Sequence, residues 1–200
     1  MNKVSNGVKM PRVLDIDEKD RMILELLEKD PEMSQSEIAK IVGLSQPSVG
    51  SRIKKLKELG VVSHAYGLNL KKSGLHILKV DIKCKRPSDI ILKLSGCPFF
   101  LNGFIVAGDK NLTLFLGGED LTTLEAMVDK HIRSEPEVYN VEAGIIVRSE
   151  KDAVMPIKMY IEKSKKAPCG DIRCNECLYW EKDLCLGCPI TGHYRGKFWK

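Results

Sequence analysis

The stretch from Ser34 to Gly60 constrains this chain more tightly than any other. Ser34-Gln35-Ser36-Glu37 has the form of a capping box, in which a serine hydroxyl and a glutamate carboxylate each satisfy an orphan amide at a helix start. It opens a short helix carrying Ile38 and Ile41, and Gly43 breaks that helix. Leu44-Ser45 starts another at once, with Ser45 as N-cap and Pro47 within the first turn. This helix buries Val49, Ile53, Leu56 and Leu59 and stops at Gly60. Upstream, Ile16, Ile23, Leu26 and Leu27 form one stripe, Asp17 is placed to cap it, and Asp30-Pro31 ends the run. Three helices, the last two joined by a glycine turn, make a helix-turn-helix. Val61 to Leu70, with Gly67 inside it, suits a short β wing.

The middle of the chain alternates with a different period. His76 to Cys84 reads as a strand, and Pro87-Ser88-Asp89 caps a helix carrying Ile90, Ile91 and Leu94. Phe104–Ala107 and Leu112–Leu116 read as strands around an Asp109-Lys110-Asn111 turn. Leu121 to Ile132 is helical, with Leu124 and Met127 on its apolar side, and Val138–Val147 closes the series as a strand. The order β-α-β-β-α-β is the ferredoxin-like arrangement. Its helices cover one face of a four-stranded antiparallel sheet, so a homodimer or higher homo-oligomer is expected across the open face. The fold class is therefore α+β. Residues 1–13 are a flexible arm, 14–74 a winged helix-turn-helix domain, 75–150 a ferredoxin-like domain, 151–168 a linker, and 169–200 a cysteine-rich segment.

Five of the seven cysteines fall in that last segment, as Cys169-x4-Cys174-x2-Cys177-x7-Cys185-x2-Cys188-Pro189. No run approaches the ~20 apolar residues of a membrane span, and the basic N-terminus lacks the apolar core of a signal peptide. A cytoplasmic location is expected, where clustered thiols ligate metal more often than they form disulfides. The two Cys-x2-Cys pairs, Cys174/Cys177 and Cys185/Cys188, are the candidate ligands, because both sulfurs of each pair can turn to one centre. Cys169 is a spare, an alternative ligand or a redox-active thiol. Zinc ribbons usually separate their pairs by ~15–20 residues, whereas the gap here is seven. The Cys-x4-Cys-x2-Cys start and the terminal Cys-Pro match iron–sulfur spacings, so an iron–sulfur cluster is the first reading and zinc the second. The segment also resembles the auxiliary-cluster regions of some radical enzymes. Thirty-odd residues cannot bury a stable core alone, and bound metal would supply the missing folding energy, as sensor or as staple. Tyr179, Trp180, Tyr194, Phe198 and Trp199 either shield a cluster or form the segment's only core. Cys84 and Cys97 read as buried structural thiols, and His193 as a surface residue.

The net charge of +5 permits nucleic-acid binding without requiring it, so placement of charge must decide. On the third helix Val49, Ile53 and Leu56 share one face, while Pro47, Ser51, Lys54 and Lys55 lie opposite. Gln46 and Ser48 sit at its exposed N-terminal end, where helix-turn-helix proteins meet base edges. Gln46 can contact adenine bidentately, and Lys54, Lys55 and Lys57 would add salt-dependent phosphate affinity. Ser34, Gln35 and Ser45 at the helix starts, with Arg52, complete the candidate set for double-stranded DNA. Arg52 lies beside the apolar stripe, placed for an ion pair with Glu37 or for DNA. Gly50 costs ~1 kcal/mol against alanine in a helix, which would be offset by close approach of the second helix or of a phosphate.

Several runs carry a resemblance to a known family. They are Leu14-Asp15-x-Asp17, Ile23-Leu24-x-Leu26-Leu27, Ser36-Glu37-Ile38-Ala39-x-x-Val42-Gly43-Leu44-Ser45 and Val49-x-x-Arg52-Ile53-x-x-Leu56-x-x-x-Gly60-Val61-Val62. With the β-α-β-β-α-β order behind them, the first 150 residues resemble the Lrp/AsnC (feast/famine) regulators. The resemblance implies a sequence-specific transcriptional regulator, not an enzyme, that binds a pseudo-palindromic site as an oligomer. The family's Gly-x-x-Asp effector turn corresponds to Gly108 through Asn111, with Asn111 in the acidic position. Nothing after about residue 150 is covered, so modulation by a metal or cluster in the cysteine segment is an expectation from the cysteines alone. A competing reading comes from decarboxylases of sirohaem-type tetrapyrroles, which share the scaffold; His64, His76 and His131 would be their candidate residues here.

Overall fold

The computed structural model describes residues 16–60, 62, 67–170 and 173–200. The expected N-terminal arm, His64 and half of the expected wing lie outside the described residues. The chain divides into two compact units, Met1–His64 and Ala65–Lys200.

In the first unit, α1 spans Glu18–Lys29, α2 Gln35–Val42 and α3 Gln46–Glu58. Each starts on the oxygen-bearing side chain its sequence supplies. Asp17 accepts from the Asp20 amide, Ser34 from that of Glu37, and Ser45 from that of Ser48. Gly43 and Gly60 take the left-handed backbone at φ 67° and 69° that ends α2 and α3. Lys19 Nζ donates to the Val42 carbonyl at 2.6 Å, so a cation from α1 satisfies an orphan acceptor at the end of α2. Ile23, Ile38, Ala39, Val42, Val49 and Ile53 form the core, and full burial of each larger aliphatic contributes about 1.5–3 kcal/mol. Two expected core residues are outside it. Ile41 is 55% exposed because Ala39 and Val42 complete the stripe of α2, and Leu59 is 58% exposed because it caps α3 and lies past its last buried turn.

The second unit is built on a sheet of order β3-β4-β2-β5, every pair antiparallel. β2 is His76–Cys84, β3 Phe100–Ile105, β4 Leu112–Gly118 and β5 Val138–Ile145, with α4 (Pro87–Leu94) and α5 (Leu121–Val128) as crossovers. This is the expected ferredoxin-like connectivity. Leu78, Val80 and Ile82 alternate along β2, stand beside Leu112, Leu114 and Leu116 of β4, and pack under Ile90, Leu94, Leu124, Val128 and Ile132. Three local expectations are corrected. β3 begins at Phe100 rather than Phe104, because Asn102-Gly103 is strand; a Cβ on Gly103 would meet Leu114 Cδ2 at 2.9 Å. α4 is capped at Arg86, with Pro87 as its first residue, and makes no side-chain cap. The α5 helix continues past Val128 as a wider π turn, Asp129–Arg133.

The segment expected as a linker is folded. A two-residue strand β1, Leu68–Asn69, pairs with β6, Val154–Met155, so the described part of the expected wing joins the connector. Gly67 is needed there, since a Cβ would stand 2.7 Å from the Met155 carbonyl. Ile157, Ile161 and Ala167 then pack on the sheet core. The cysteine-rich segment carries a short turn at Cys174–Glu176 and a one-turn helix α6, Leu178–Glu181. It has no separate core: Trp199 is 4% exposed within the core of the sheet unit, edge-on to Phe99 with ring centroids 5.3 Å apart.

Candidate nucleic-acid interface and cysteine-lined hollow

The N-terminus of α3 is unlike those of its neighbours. α1 places Glu18 and Asp20 in its first turn and α2 places Glu37 there, whereas α3 has no acid in its first turn and Lys55 and Lys57 in its last. An anion approaching α3 therefore meets the positive end of the helix dipole without a carboxylate to repel it. Gln46, Pro47 and Ser51 are exposed and Ser48 is half-buried. Lys54 is exposed and 3.8 Å from Glu58, one turn on, and Lys55 is exposed.

Other members of the candidate set are engaged within the unit. Ser34 and Ser45 are N-caps. The Gln35 side chain lies over Gly50, where a Cβ would stand 2.8 Å from Oε1, so the glycine serves close approach of α2 to α3. Arg52 pairs with Asp17, the N-cap of α1, at 2.6 Å and with Asp20 in its first turn at 2.8 Å, and not with Glu37. Glu37 is committed to its capping box, accepting from the Ser34 hydroxyl at 2.6 Å. These contacts hold the Asp17 carboxyl below its ordinary range, through the Asp20 amide first and Arg52 second. The Ser34 hydroxyl and then its amide lower Glu37 likewise.

At the expected effector turn, Gly108 adopts φ 147°. Asn111 bridges to β2 instead of standing free: its Nδ2 donates to the Cys84 carbonyl at 2.7 Å and its Oδ1 accepts from the Cys84 amide at 3.0 Å. Asp109 pairs with Lys83.

The cysteines show what sequence spacing could not. Six of the seven (Cys97, Cys169, Cys174, Cys177, Cys185 and Cys188) line one hollow of about 50 Å³ between α5, the start of β3 and the tail. Cys97 is thus buried, as expected, but lies in the same site as the tail. Cys84 remains apart beneath Asn111, its thiol pushed up by burial. The Cys97 and Cys169 thiols hydrogen-bond to each other, and Cys169 Sγ lies 3.9 Å from His131 Nε2. The hydrogen bond from Cys97 holds Cys169 down to about 5, with His131 assisting against the opposing effect of burial. Cys97 is correspondingly pushed up, by that hydrogen bond and then by burial.

The four cysteines of the Cys-x2-Cys pairs are half-buried. Gly187, at φ 86°, donates its amide to Cys185 Sγ at 3.3 Å, and Thr191 Oγ1 lies 3.7 Å from Cys174 Sγ. Burial pushes Cys188 up to about 11, opposed by amide hydrogen bonds from Ile190 and Thr191. Among the described residues, no three His, Cys, Asp or Glu side chains converge so as to hold a single ion. The tail is fixed by Leu186 N–H donating to Thr123 Oγ1 at 2.8 Å and by Tyr179 donating to Asp129 at 2.8 Å. Of the expected shielding aromatics, Tyr179 and Trp180 line the hollow, while Tyr194, Phe198 and Trp199 pack on the sheet core. His193 is outside the lining; its carbonyl accepts from Trp180 Nε1 at 2.8 Å. Among the described residues no helix is long and apolar enough to cross a membrane.

Comparison with known proteins agrees with this architecture. Residues 16–63 match the family model described as winged helix-turn-helix DNA-binding. An uncharacterized HTH-type transcriptional regulator of Pyrococcus horikoshii is 31% identical over 140 residues, covering 64% of this chain and 85% of that protein. The HTH-type transcriptional regulator LrpA of Pyrococcus abyssi is 29% identical over 140 residues, covering 68% of this chain and 99% of its own. A transcriptional regulatory protein of Pyrococcus furiosus, described as a member of the AsnC family, superposes with a TM-score of 0.52 at 26% identity, covering 68% of this chain and 93% of its own. These relatives are regulators, which favours that reading over the decarboxylase scaffold, and nearly all of LrpA is matched while about a third of this chain is left over. The chain belongs to the Lrp/AsnC family of DNA-binding transcriptional regulators.

Proposed function

We propose that this regulator reads DNA with the first turn of α3, acts as a homo-oligomer, and carries a metal site in its tail that modulates DNA binding. The acid-free, exposed N-terminus of α3 carries the first clause. Gln46 and Ser48 reach base edges, and Lys54 and Lys55 hold phosphates. Selection of a binding site from random duplexes tests it. Gln46→Ala relaxes the preference at one base position of each half-site, by about 1–3 kcal/mol. Lys54→Ala with Lys55→Ala weakens all duplexes alike. Uniform weakening by Gln46→Ala would remove the base-reading role.

The sheet face away from the helices supports the oligomer. Phe104 is 49% exposed and stacks edge-on with Phe115 on this face, with exposed Val106 two residues on. Apolar rings on a helix-free face are material for an interface between copies. Phe104→Glu lowers the mass measured by light scattering to that of a smaller species; an unchanged mass rules this face out. The four thiols of Cys174, Cys177, Cys185 and Cys188 support the metal site. Replacing all four by serine changes DNA affinity or its redox dependence, and a folded variant with neither change leaves the tail without a regulatory role.

A further inference from the structure

The hollow departs from a single-ion site in its geometry. Four thiolates on one zinc sit about 2.3 Å from the metal, and so within about 4 Å of one another. Here six cysteines from three parts of the chain line one hollow, and among the described residues no three ligand-type side chains converge on one point. Cysteines lining a common hollow without converging on one point suit a polynuclear cluster, whose thiolates stand further apart than those on a single ion.

The six thiols fall into two sets. Cys97 and Cys169 are occupied with each other and with His131. The four of the Cys-x2-Cys pairs are half-buried around the rest of the hollow, and one of them faces a backbone donor that suits negatively charged sulfur. Cys185 receives the Gly187 amide at 3.3 Å, and Cys174 lies 3.7 Å from the Thr191 hydroxyl, which itself donates to the Cys188 carbonyl at 3.0 Å. Such donors orient cluster thiolates and tune their potential. Gly187 is required for its part: a Cβ would stand 2.7 Å from the His193 carbonyl. Phe99, Ala126, Met127 and Trp180 supply an apolar wall.

We propose that this hollow seats an iron–sulfur cluster bound by Cys174, Cys177, Cys185 and Cys188, with Cys97, Cys169 and His131 forming the wall between the cluster and the sheet unit. Each ligand loses its S–H proton to solvent as an S–Fe bond forms, so assembly releases protons. The proposal rests on the reading of the tail as a metal site and names its occupant. It makes the cluster a cross-link within the C-terminal segment, seated against the lining side chains of the α4–β3 connection and α5.

The test is metal and sulfide analysis of the full chain purified without oxygen, and again after reconstitution with ferrous iron and sulfide. Iron and acid-labile sulfide are expected in equal amounts, about four of each per chain for a cubane cluster, with visible absorbance that bleaches on reduction by dithionite. Cys174→Ser, Cys177→Ser, Cys185→Ser and Cys188→Ser each lose at least half of both. Cys84→Ser, Cys97→Ser and Cys169→Ser retain them. Because serine variants can misfold, thiol alkylation of the wild-type chain provides a second readout. The four ligands are protected until a chelator removes iron, and then react. Zinc without sulfide overturns the cluster and leaves the tail a metal site, whereas no metal under either condition overturns both. Iron lost from Cys97→Ser or Cys169→Ser but kept by a tail variant overturns the ligand assignment.

Discussion

Gly50 lies directly beneath Gln35, so close that a methyl group on its Cα would stand 2.8 Å from the Gln35 Oε1. The obstructing atom is the far end of a flexible side chain, free to swing away. Gly50→Ala should therefore recover most of the helix-propensity difference, a gain of up to about 1 kcal/mol. Gly50→Leu should destabilise, because the branched side chain must displace the whole amide. Urea unfolding of the two variants checks this, and a loss above about 1 kcal/mol for alanine would show that the Gln35 position is rigid.

Arg52 and Lys54 separate stability from DNA affinity on one helix. Asp20 has only 10% of its side chain exposed and Arg52 30%, so Arg52→Ala leaves a largely desolvated carboxylate without its cation. A lowered denaturant midpoint is expected, and an unchanged one would show that the pair contributes nothing to stability. Lys54→Ala, at a side chain 77% exposed, should leave stability within about 0.5 kcal/mol. It should lower the salt slope of DNA binding by about one.

The lowered carboxyls of Asp17 and Glu37 fix the sign of the acid response. A folded-state pKa below the unfolded value contributes stability that is fully present above the ordinary values of 3.8 and 4.5. That contribution is lost as the pH falls through the lower folded values. The helical unit should therefore loosen below about pH 4, and Asp17→Asn should flatten that dependence. Helicity followed by circular dichroism during acid titration is the measurement, and an unchanged acid limb in Asp17→Asn would contradict it.

Trp199 makes the tail part of the sheet unit's core. It is 4% exposed, edge-on to Phe99, and its Nε1 donates to the Lys158 carbonyl at 2.9 Å. Trp199→Ala should cost about 3–5 kcal/mol, as for other large core truncations. Hydrogen exchange should then rise in β3 and α5 as well as in the tail. Exchange confined to residues 169–200 would mean that the tail folds on its own.

Local signals were legible and distant ones were not. Ser34, Gly43, Ser45 and Gly60 act through their own backbone and immediate neighbours, so the helix-turn-helix could be read residue by residue. Periodicity marks a stripe but not its edges, which is why Ile41 and Leu59 were expected inside and lie outside. The sequence offers Arg52 either Glu37 or DNA, and its actual partners Asp17 and Asp20 approach it only when α1 folds across α3. Asn102 and Gly103 carry turn chemistry, yet pairing with β4 makes them strand, tertiary context overriding propensity. Cys97 and Cys169 have no shared motif, and only the return of the chain after β5 brings their sulfurs together.

The ribbon of Leu68–Asn69 with Val154–Met155 has a mechanical consequence. Its two strands are the stretch that follows the DNA-reading unit in sequence and the stretch that leads to the cysteines. A ladder two residues long is the weakest kind of β pairing, held further by Leu70 N–H donating to the Ala153 carbonyl at 2.9 Å. Tension or slack in the connector is thus passed to the Leu68–Asn69 strand through a few backbone hydrogen bonds. The ribbon is a clasp, with a far shorter ladder than any pair in the four-stranded sheet.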